Sequence, residues 1–83
     1  MSADLGSAES RLLQAIYNLS GGSASVNVRA NEAARRAGVG YGTQEFDRAV
    51  GSLERKGYIA GLATGFSFRI TATGARKAQE KQG

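Results

Sequence analysis

Residues 46–59 read Phe-Asp-Arg-Ala-Val-Gly-Ser-Leu-Glu-Arg-Lys-Gly-Tyr-Ile, and the spacing of their apolar side chains changes within the segment. The first part carries an apolar stripe at steps of three, one and three, which is one face of an α-helix: Phe46, Ala49, Val50 and Leu53. Thr43 is a favourable N-cap for this helix, and Gly57 is a favourable residue to end it near residue 56. From Tyr58 onward the pattern fits a β-strand, so the segment predicts a helix that leads directly into a strand.

The residues that follow predict a hairpin and a last helix. Residues 58–63 fit one strand and residues 66–70 a second, with Thr64-Gly65 as the turn between them. The apolar residues of the second strand alternate with polar ones and are expected on the core face: Phe66, Phe68 and Ile70. Thr71 is then a favourable cap for a helix over residues 72–81, with Ala75 and Ala78 facing inward.

Two further helices are predicted upstream. Residues 7–19 form a helical pattern with Ser7 as its N-cap and Gly21-Gly22 at its end. Its apolar stripe contains Ala8, Leu12, Ala15, Ile16 and Leu19. Residues 26–28 predict a very short strand, and residues 29–37 predict a second helix that buries a stripe of alanines. The whole order is therefore helix, short strand, helix, turn, helix, hairpin and helix, which is a small α+β fold.

Composition limits the chemistry that this chain supports. Its 83 residues predict one domain over residues 1–83, with frayed ends at residues 1–6 and 82–83. It contains no His and no Cys, so the commonest general base and the usual transition-metal ligands are missing. We therefore expect no enzymatic activity, no catalytic residues, no metal site and no small-molecule cofactor.

The charge distribution points to a polyanionic partner. The net charge is +4, and ten of the eleven basic residues lie in residues 29–83 together with only five of the seven acidic ones. A basic segment of this kind favours contact with nucleic acid. The first residues have neither the basic start nor the apolar run of a signal peptide, and no apolar run approaches membrane-spanning length. We expect a cytoplasmic protein with no membrane association.

The third helix offers the best candidate contact surface. Opposite its apolar stripe a helical wheel places Gln44, Arg48, Gly51 and Arg55. An Arg at this position pairs with guanine and a Gln with adenine when a helix lies in the major groove. Gly51 costs about 1 kcal/mol relative to alanine inside a helix, and a glycine there lets another surface approach closely. Tyr41 and Thr43 precede the helix and are placed to contact phosphate.

Simpler interpretations of the same residues stay open. Arg48 and Arg55 also fit solvated charges paired with Glu45 and Glu54 on their own helix. Gly51 also fits neutral drift or a packing contact, and Tyr41 also fits a side chain that packs over the turn. Arg69 read alone fits a solvated charge, and Tyr58 fits either a core position or a base-stacking one.

Three segments resemble winged helix-turn-helix proteins. Residues 31–39, Asn-Glu-Ala-Ala-Arg-Arg-Ala-Gly-Val, look like the first helix and turn of a bacterial helix-turn-helix. Residues 46–59 resemble a recognition helix and the first wing strand. Residues 68–78, Phe-Arg-Ile-Thr-Ala-Thr-Gly-Ala-Arg-Lys-Ala, are similar to the apolar-Thr-x-x-Gly segment that opens the next helix in MarR-like regulators. The resemblance covers about residues 8–80.

This resemblance implies a three-helix core, a two-stranded β-wing and a C-terminal helix. It also implies binding of double-stranded DNA, with the helix at 43–56 in the major groove and the wing at 58–70 on the backbone. By position it marks Thr43, Gln44, Arg48 and Arg55, with Arg69 near the wing. The complete set of candidate DNA-binding residues is Arg29, Arg35, Arg36, Tyr41, Thr43, Gln44, Arg48, Ser52, Arg55 and Arg69.

Two functional classes follow from these observations. The first is a DNA-binding protein, associated with the nucleoid, that acts as a transcriptional regulator or as a phage or plasmid factor. The second is a winged helix that contacts another protein, which Glu45, Asp47, Glu54 and a wing tip without basic residues favour. RNA binding is a third interpretation. A homodimer is also open, with the Leu5/Leu13 and Ala75/Ala78 surfaces as its expected contacts.

Overall fold

A computed structural model describes residues 6–62 and 66–82 of the chain. Its elements in chain order are α1 (Ser7–Ser20), β1 (Val28–Arg29), α2 (Ala30–Ala37), α3 (Gln44–Arg55), β2 (Ile59–Gly61), β3 (Ser67–Ile70) and α4 (Ala72–Gln82). This order agrees with the one that the sequence predicts, and the fold is a small α+β domain. The predicted turn at Thr64-Gly65 lies outside the described residues. None of the described helices is both long and apolar enough to cross a membrane.

The sheet has three antiparallel strands rather than the two of the predicted wing. Its order is β1-β3-β2, so the short strand before α2 pairs with the second strand of the hairpin. Val28 is opposite Phe68 on one side of β3, and Ile59 is opposite Ile70 on the other. The backbone N–H of Ala30 also donates to the carbonyl oxygen of Phe66 at 2.8 Å. The sheet thereby connects the start of α2 to the hairpin.

Helix ends follow local sequence with one exception. The Thr43 hydroxyl accepts the backbone N–H of Phe46 at 3.2 Å, which confirms the predicted N-cap of α3. Gly21 and Gly38 are the left-handed C-caps of α1 and α2, as their positions predict. The prediction of Ser7 as the N-cap of α1 is wrong, because Gly6 is the N-cap and Ser7 is already the first residue of the helix.

The core lies between the helices and one face of the sheet. Its largest fully buried side chains are Leu12, Leu13, Ile16, Leu53 and Ile70. The four alanines of α2 are all buried against this core, as the alanine stripe predicts. Phe68 and Ile70 are buried as expected, but Phe66 is 66% exposed. Phe66 precedes the first residue of β3, and although its carbonyl oxygen still accepts the N–H of Ala30, its ring does not reach the core.

The surfaces expected to form a homodimer are mostly buried within a single chain. Leu13 is 1% exposed and Ala78 is completely buried, because α4 packs back onto α1. The Gln14 side chain donates to the carbonyl oxygen of Ala78 at 2.7 Å across this contact. Ala75 is also partly buried against the core, while Leu5 lies outside the described residues. The expectation for these dimer contacts is therefore wrong at Leu13 and Ala78, whose side chains already pack inside the domain.

Residues 57–58 and 71–74 form what we call the α4 junction. The Thr71 hydroxyl lies 2.6 Å from the Gly57 carbonyl oxygen and 3.0 Å from that of Tyr58, and accepts the N–H of Gly74 at 2.9 Å. The N–H of Thr71 donates to the Tyr58 carbonyl at 3.0 Å. A Cβ atom on Gly74 would overlap the Tyr58 carbonyl group. Thr71 and Gly74, at Thr-x-x-Gly spacing, therefore hold α4 against the residues that link α3 to the hairpin.

Candidate nucleic-acid interface

The outer face of α3 is the surface formed by Gln44, Arg48, Gly51 and Arg55. Phe46, Ala49 and Leu53 on the opposite side are buried, and Val50 is partly buried against the core. This burial leaves the side chains of Gln44, Arg48 and Arg55 exposed. The helical wheel therefore predicts the orientation of α3 correctly.

The two arginines on this face are available to a ligand. Neither Arg48 nor Arg55 forms an ion pair or hydrogen bond with any residue that the structure describes. The intrahelical pairs with Glu45 and Glu54 are thus not formed, and both side chains are exposed, as the interpretation of them as solvated charges also expects. Because the two positions are seven residues apart, their Cα atoms are separated by about 10.5 Å along the helix axis. The guanidinium groups therefore occupy one stripe that is about two turns long.

Gly51 lies between these arginines and has no packing role inside the domain. A Cβ atom placed on Gly51 would have open space, with no described atom beyond its chain neighbours and the backbone of its own helix within 4 Å. Its backbone has no positive φ angle, so alanine fits the conformation. The packing interpretation of this glycine is therefore wrong. The cost of about 1 kcal/mol that glycine carries inside a helix is not offset by close packing against any of the described residues.

Ser52 faces the body of the domain and not the outer face. Its hydroxyl donates to the Glu9 carboxylate of α1 at 3.0 Å. Lys56 forms an ion pair with the same carboxylate oxygen at 3.0 Å. Glu9 thus attaches the second half of α3 to the first turn of α1. The sequence shows Glu9 only as an acidic residue in a first helical turn, so its contact with α3 could not be anticipated.

The segment before α3 presents two of the candidate residues. The Thr43 hydroxyl caps the helix and also donates to the Gly40 carbonyl at 2.7 Å. The hydroxyl proton of Thr43 is therefore already used inside the turn, and one of its acceptor positions is used by the helix. Tyr41 is 52% exposed, and its ring meets the edge of Phe46 with a centroid separation of 5.5 Å. It packs over the turn and still presents much of its ring to solvent.

The remaining candidate arginines lie on three other elements. Arg35 and Arg36 are exposed in the last turn of α2, and Arg29 is exposed at its N-cap. Arg69 is exposed on β3, where its Nε donates to the Asn27 side-chain oxygen at 2.9 Å. This bond ties Arg69 to the residue before β1. The candidate residues therefore surround α3 on the turn, the start of α2 and the sheet rather than forming one compact cluster.

A cleft separates α3 from the sheet. It has a volume of about 410 Å³, and its lining includes the apolar side chains of Phe46, Val50 and Phe68. Asp47 and Glu54 line the same cleft from α3. The Glu54 carboxylate lies so close to Gly61 of β2 that a side chain there would overlap it. The inner flank of α3 is therefore apolar and acidic, in contrast to its outer face.

A second depression lies beside the turn and has a different chemistry. Its volume is about 310 Å³, and it is lined by Arg29, Asn31, Tyr41, Phe66 and Ser67. Tyr41 and Phe66 are two of the three large apolar residues that are exposed among the described residues. Alternation along the strand predicts Phe66 in the core, and the sequence pattern gives Asn31 a place in α2 but no binding role, so this site could not be predicted from sequence.

No protein-family model, curated protein or solved structure was found to match this chain. The functional interpretation therefore depends on the geometry and charge of these residues.

Proposed function

We propose that this chain is a winged helix-turn-helix protein that binds double-stranded DNA, with α3 in the major groove and residues 58–70 on the backbone. The observation that carries the proposal is the outer face of α3, where two unpaired arginines flank a glycine with open space above it. Such a protein would act as a transcriptional regulator, cytoplasmic and associated with the nucleoid.

The chemistry of this face suits base recognition. A guanidinium group forms two parallel hydrogen bonds with the O6 and N7 atoms of guanine. Arg48 is near the middle of α3 and so is placed for this contact, while Gln44 at the first turn suits adenine. The flat surface at Gly51 allows the helix backbone to approach the base edges. Arg55 lies at the end of the helix, where a groove-bound helix meets a phosphate strand.

The other exposed arginines support the same partner through charge alone. Arg29, Arg35 and Arg36 project around the helix-turn-helix, where they suit phosphate contacts. Each phosphate neutralised by such a contact releases counterions, so affinity should fall with salt by a slope of about −0.9 per contact. Their loss should weaken binding to all sequences alike.

Fluorescence anisotropy with a labelled random duplex at two salt concentrations tests this function. We expect Arg48→Ala to weaken binding by about 1–3 kcal/mol if it reads a base, and Arg55→Ala to weaken it as well. Arg76→Ala is the matched control, because Arg76 is exposed on α4 and its loss changes the net charge equally. Binding that ignores salt, or that falls equally in all three variants, would contradict the proposed interface.

The acidic cleft favours a second candidate, a protein-interaction module. Its apolar floor and its carboxylates at Asp47 and Glu54 suit a partner segment that carries a basic side chain beside an apolar one. The double variant Asp47→Asn, Glu54→Gln separates the two functions. It should strengthen DNA binding by removing like charge near the phosphates, whereas it should weaken a complex with a basic protein segment. Competition with duplex RNA in the same assay tests the third interpretation.

A further inference from the structure

We propose that the Tyr41–Phe66 depression, lined by Arg29, Asn31, Tyr41, Phe66 and Ser67, binds an unpaired base next to the duplex. The inference rests on the proposed DNA-binding function and extends it from plain duplex to duplex with a single-stranded end or junction.

Two exposed aromatic rings carry the first step of the argument. Tyr41 is 52% exposed and Phe66 is 66% exposed, although both side chains are large enough to be buried in a core. The edge contact with Phe46 fixes one side of the Tyr41 ring and leaves the rest available. Nucleic-acid bases stack on such rings, and each stack contributes roughly 1–3 kcal/mol by alanine substitution.

The charge of the lining residues indicates which kind of ligand the depression binds. The described lining of this depression includes Arg29 and contains no acidic residue, whereas the neighbouring cleft that shares Tyr41 contains Asp47 and Glu54. A ligand that offers a flat apolar group to an aromatic ring and an anion to a guanidinium group fits a nucleotide. The Asn31 amide supplies a donor and an acceptor for the edge of the base.

Geometry limits the base to an unpaired one. Within a duplex each base covers the faces of its neighbours, so a protein ring reaches a base face only at an end or where pairing is broken. Tyr41 lies two residues before the N-cap of α3, so the depression adjoins the helix that the proposed function places in the groove. A strand that leaves the duplex at this point would enter the depression.

The test compares three labelled probes in anisotropy titrations: a blunt duplex, the same duplex with a short single-stranded extension, and the single strand alone. We expect the extended duplex to bind about tenfold more tightly than the blunt one, as one stacked base allows. A 2-aminopurine in the extension should lose fluorescence on binding because it stacks.

Variants localise the effect. Tyr41→Ala and Phe66→Ala should each remove the preference for the extension, so that the variant binds the blunt and the extended duplex with equal affinity. Alanine at position 41 could disturb the turn, so Tyr41→Leu is the second variant. Leucine keeps an apolar contact with Phe46 but has no aromatic face, so Tyr41→Leu should also lose the preference for the extension. Val26→Ala is the matched control, since Val26 is exposed at 38% and lies outside the depression. Circular dichroism spectra confirm that each variant is folded.

Each outcome decides between the two proposals. Equal affinity of the wild type for blunt and extended duplexes overturns the unpaired-base site and leaves the proposed function intact. A preference that survives in Tyr41→Leu and Phe66→Ala also overturns it. Absence of binding to every DNA probe overturns both proposals. A dimer that these variants dissociate, seen by sedimentation without DNA binding, would instead assign the depression to a contact between copies of this chain.

Discussion

Gly51 and Gly74 both lie inside helices with ordinary negative φ angles, yet their surroundings are opposite. At Gly74 an added Cβ would overlap the Tyr58 carbonyl group, whereas at Gly51 it would meet nothing within 4 Å. The first glycine is required by packing at the α4 junction. The second has no packing requirement among the described residues. The difference separates a position that holds the fold from a position available for binding.

The largest expected effect is at the α4 junction. Gly74→Ala should destabilise the protein by about 3 kcal/mol, because the methyl group displaces α4 from the Tyr58 backbone and this outweighs the gain in helix propensity. Urea unfolding followed by circular dichroism measures the shift. Unchanged stability would show that α4 shifts to accommodate the methyl group at no cost. Gly74 would then be no more required by packing than Gly51.

Thr71 supports the same junction through hydrogen bonds instead of close approach. Thr71→Ala should cost about 2 kcal/mol, since it removes the N-cap of α4 and the hydroxyl contact with the Gly57 and Tyr58 carbonyls. Thr73→Ala is the matched control, because Thr73 is exposed in the first turn of the same helix. Equal losses for both variants in urea unfolding would show that the cap is not the source of the effect.

Gly51→Ala should have the opposite sign to Gly74→Ala. It should stabilise the protein by about 1 kcal/mol through helix propensity, because the methyl group has open space. The same variant should weaken duplex binding, because the methyl group stands where α3 approaches the base edges. Thermal unfolding and anisotropy on one sample measure both quantities. Higher stability with undiminished affinity would remove Gly51 from the interface.

The smallest expected effect is at Glu9, which attaches α3 to α1. Glu9→Gln should cost about 0.5 kcal/mol, since the ion pair with Lys56 is partly exposed and a neutral amide still accepts the Ser52 hydrogen bond. Duplex affinity should not fall, because these groups face the body of the domain. A clear loss of affinity in the anisotropy assay would return Ser52 to the interface and add Lys56 to it.

The prediction from sequence succeeded where local rules act. The apolar spacing of α3 predicts which of its faces is buried, and the Thr43 and Thr71 caps follow from their positions before helices. The same reasoning failed at Phe66, because alternation does not show where pairing to β1 ends. It also failed at Leu13 and Ala78, because the return of α4 onto α1 is a contact between residues far apart in the chain.

The candidate site also has features that local sequence predicts and features that depend on the folded chain. Exposure of Gln44, Arg48 and Arg55 follows from helical periodicity alone. The attachment of Ser52 to Glu9 and of Arg69 to Asn27 depends on elements that meet only in the folded chain. The depression between Tyr41 and Phe66 is of this second kind, since its residues come from β1, α2, the turn and the start of β3.

Local sequence is sufficient for the order of the elements, the buried face of α3 and the concentration of positive charge in residues 29–83, because periodicity, capping and charge are properties of neighbouring residues. The folded chain is needed to see that β1 joins the sheet, that a Cβ atom on Gly74 would overlap the Tyr58 carbonyl while one on Gly51 has open space, and which polar side chains already form hydrogen bonds inside the domain. Those facts depend on distances between segments that are remote in sequence, and such distances are set by the packing of the whole core.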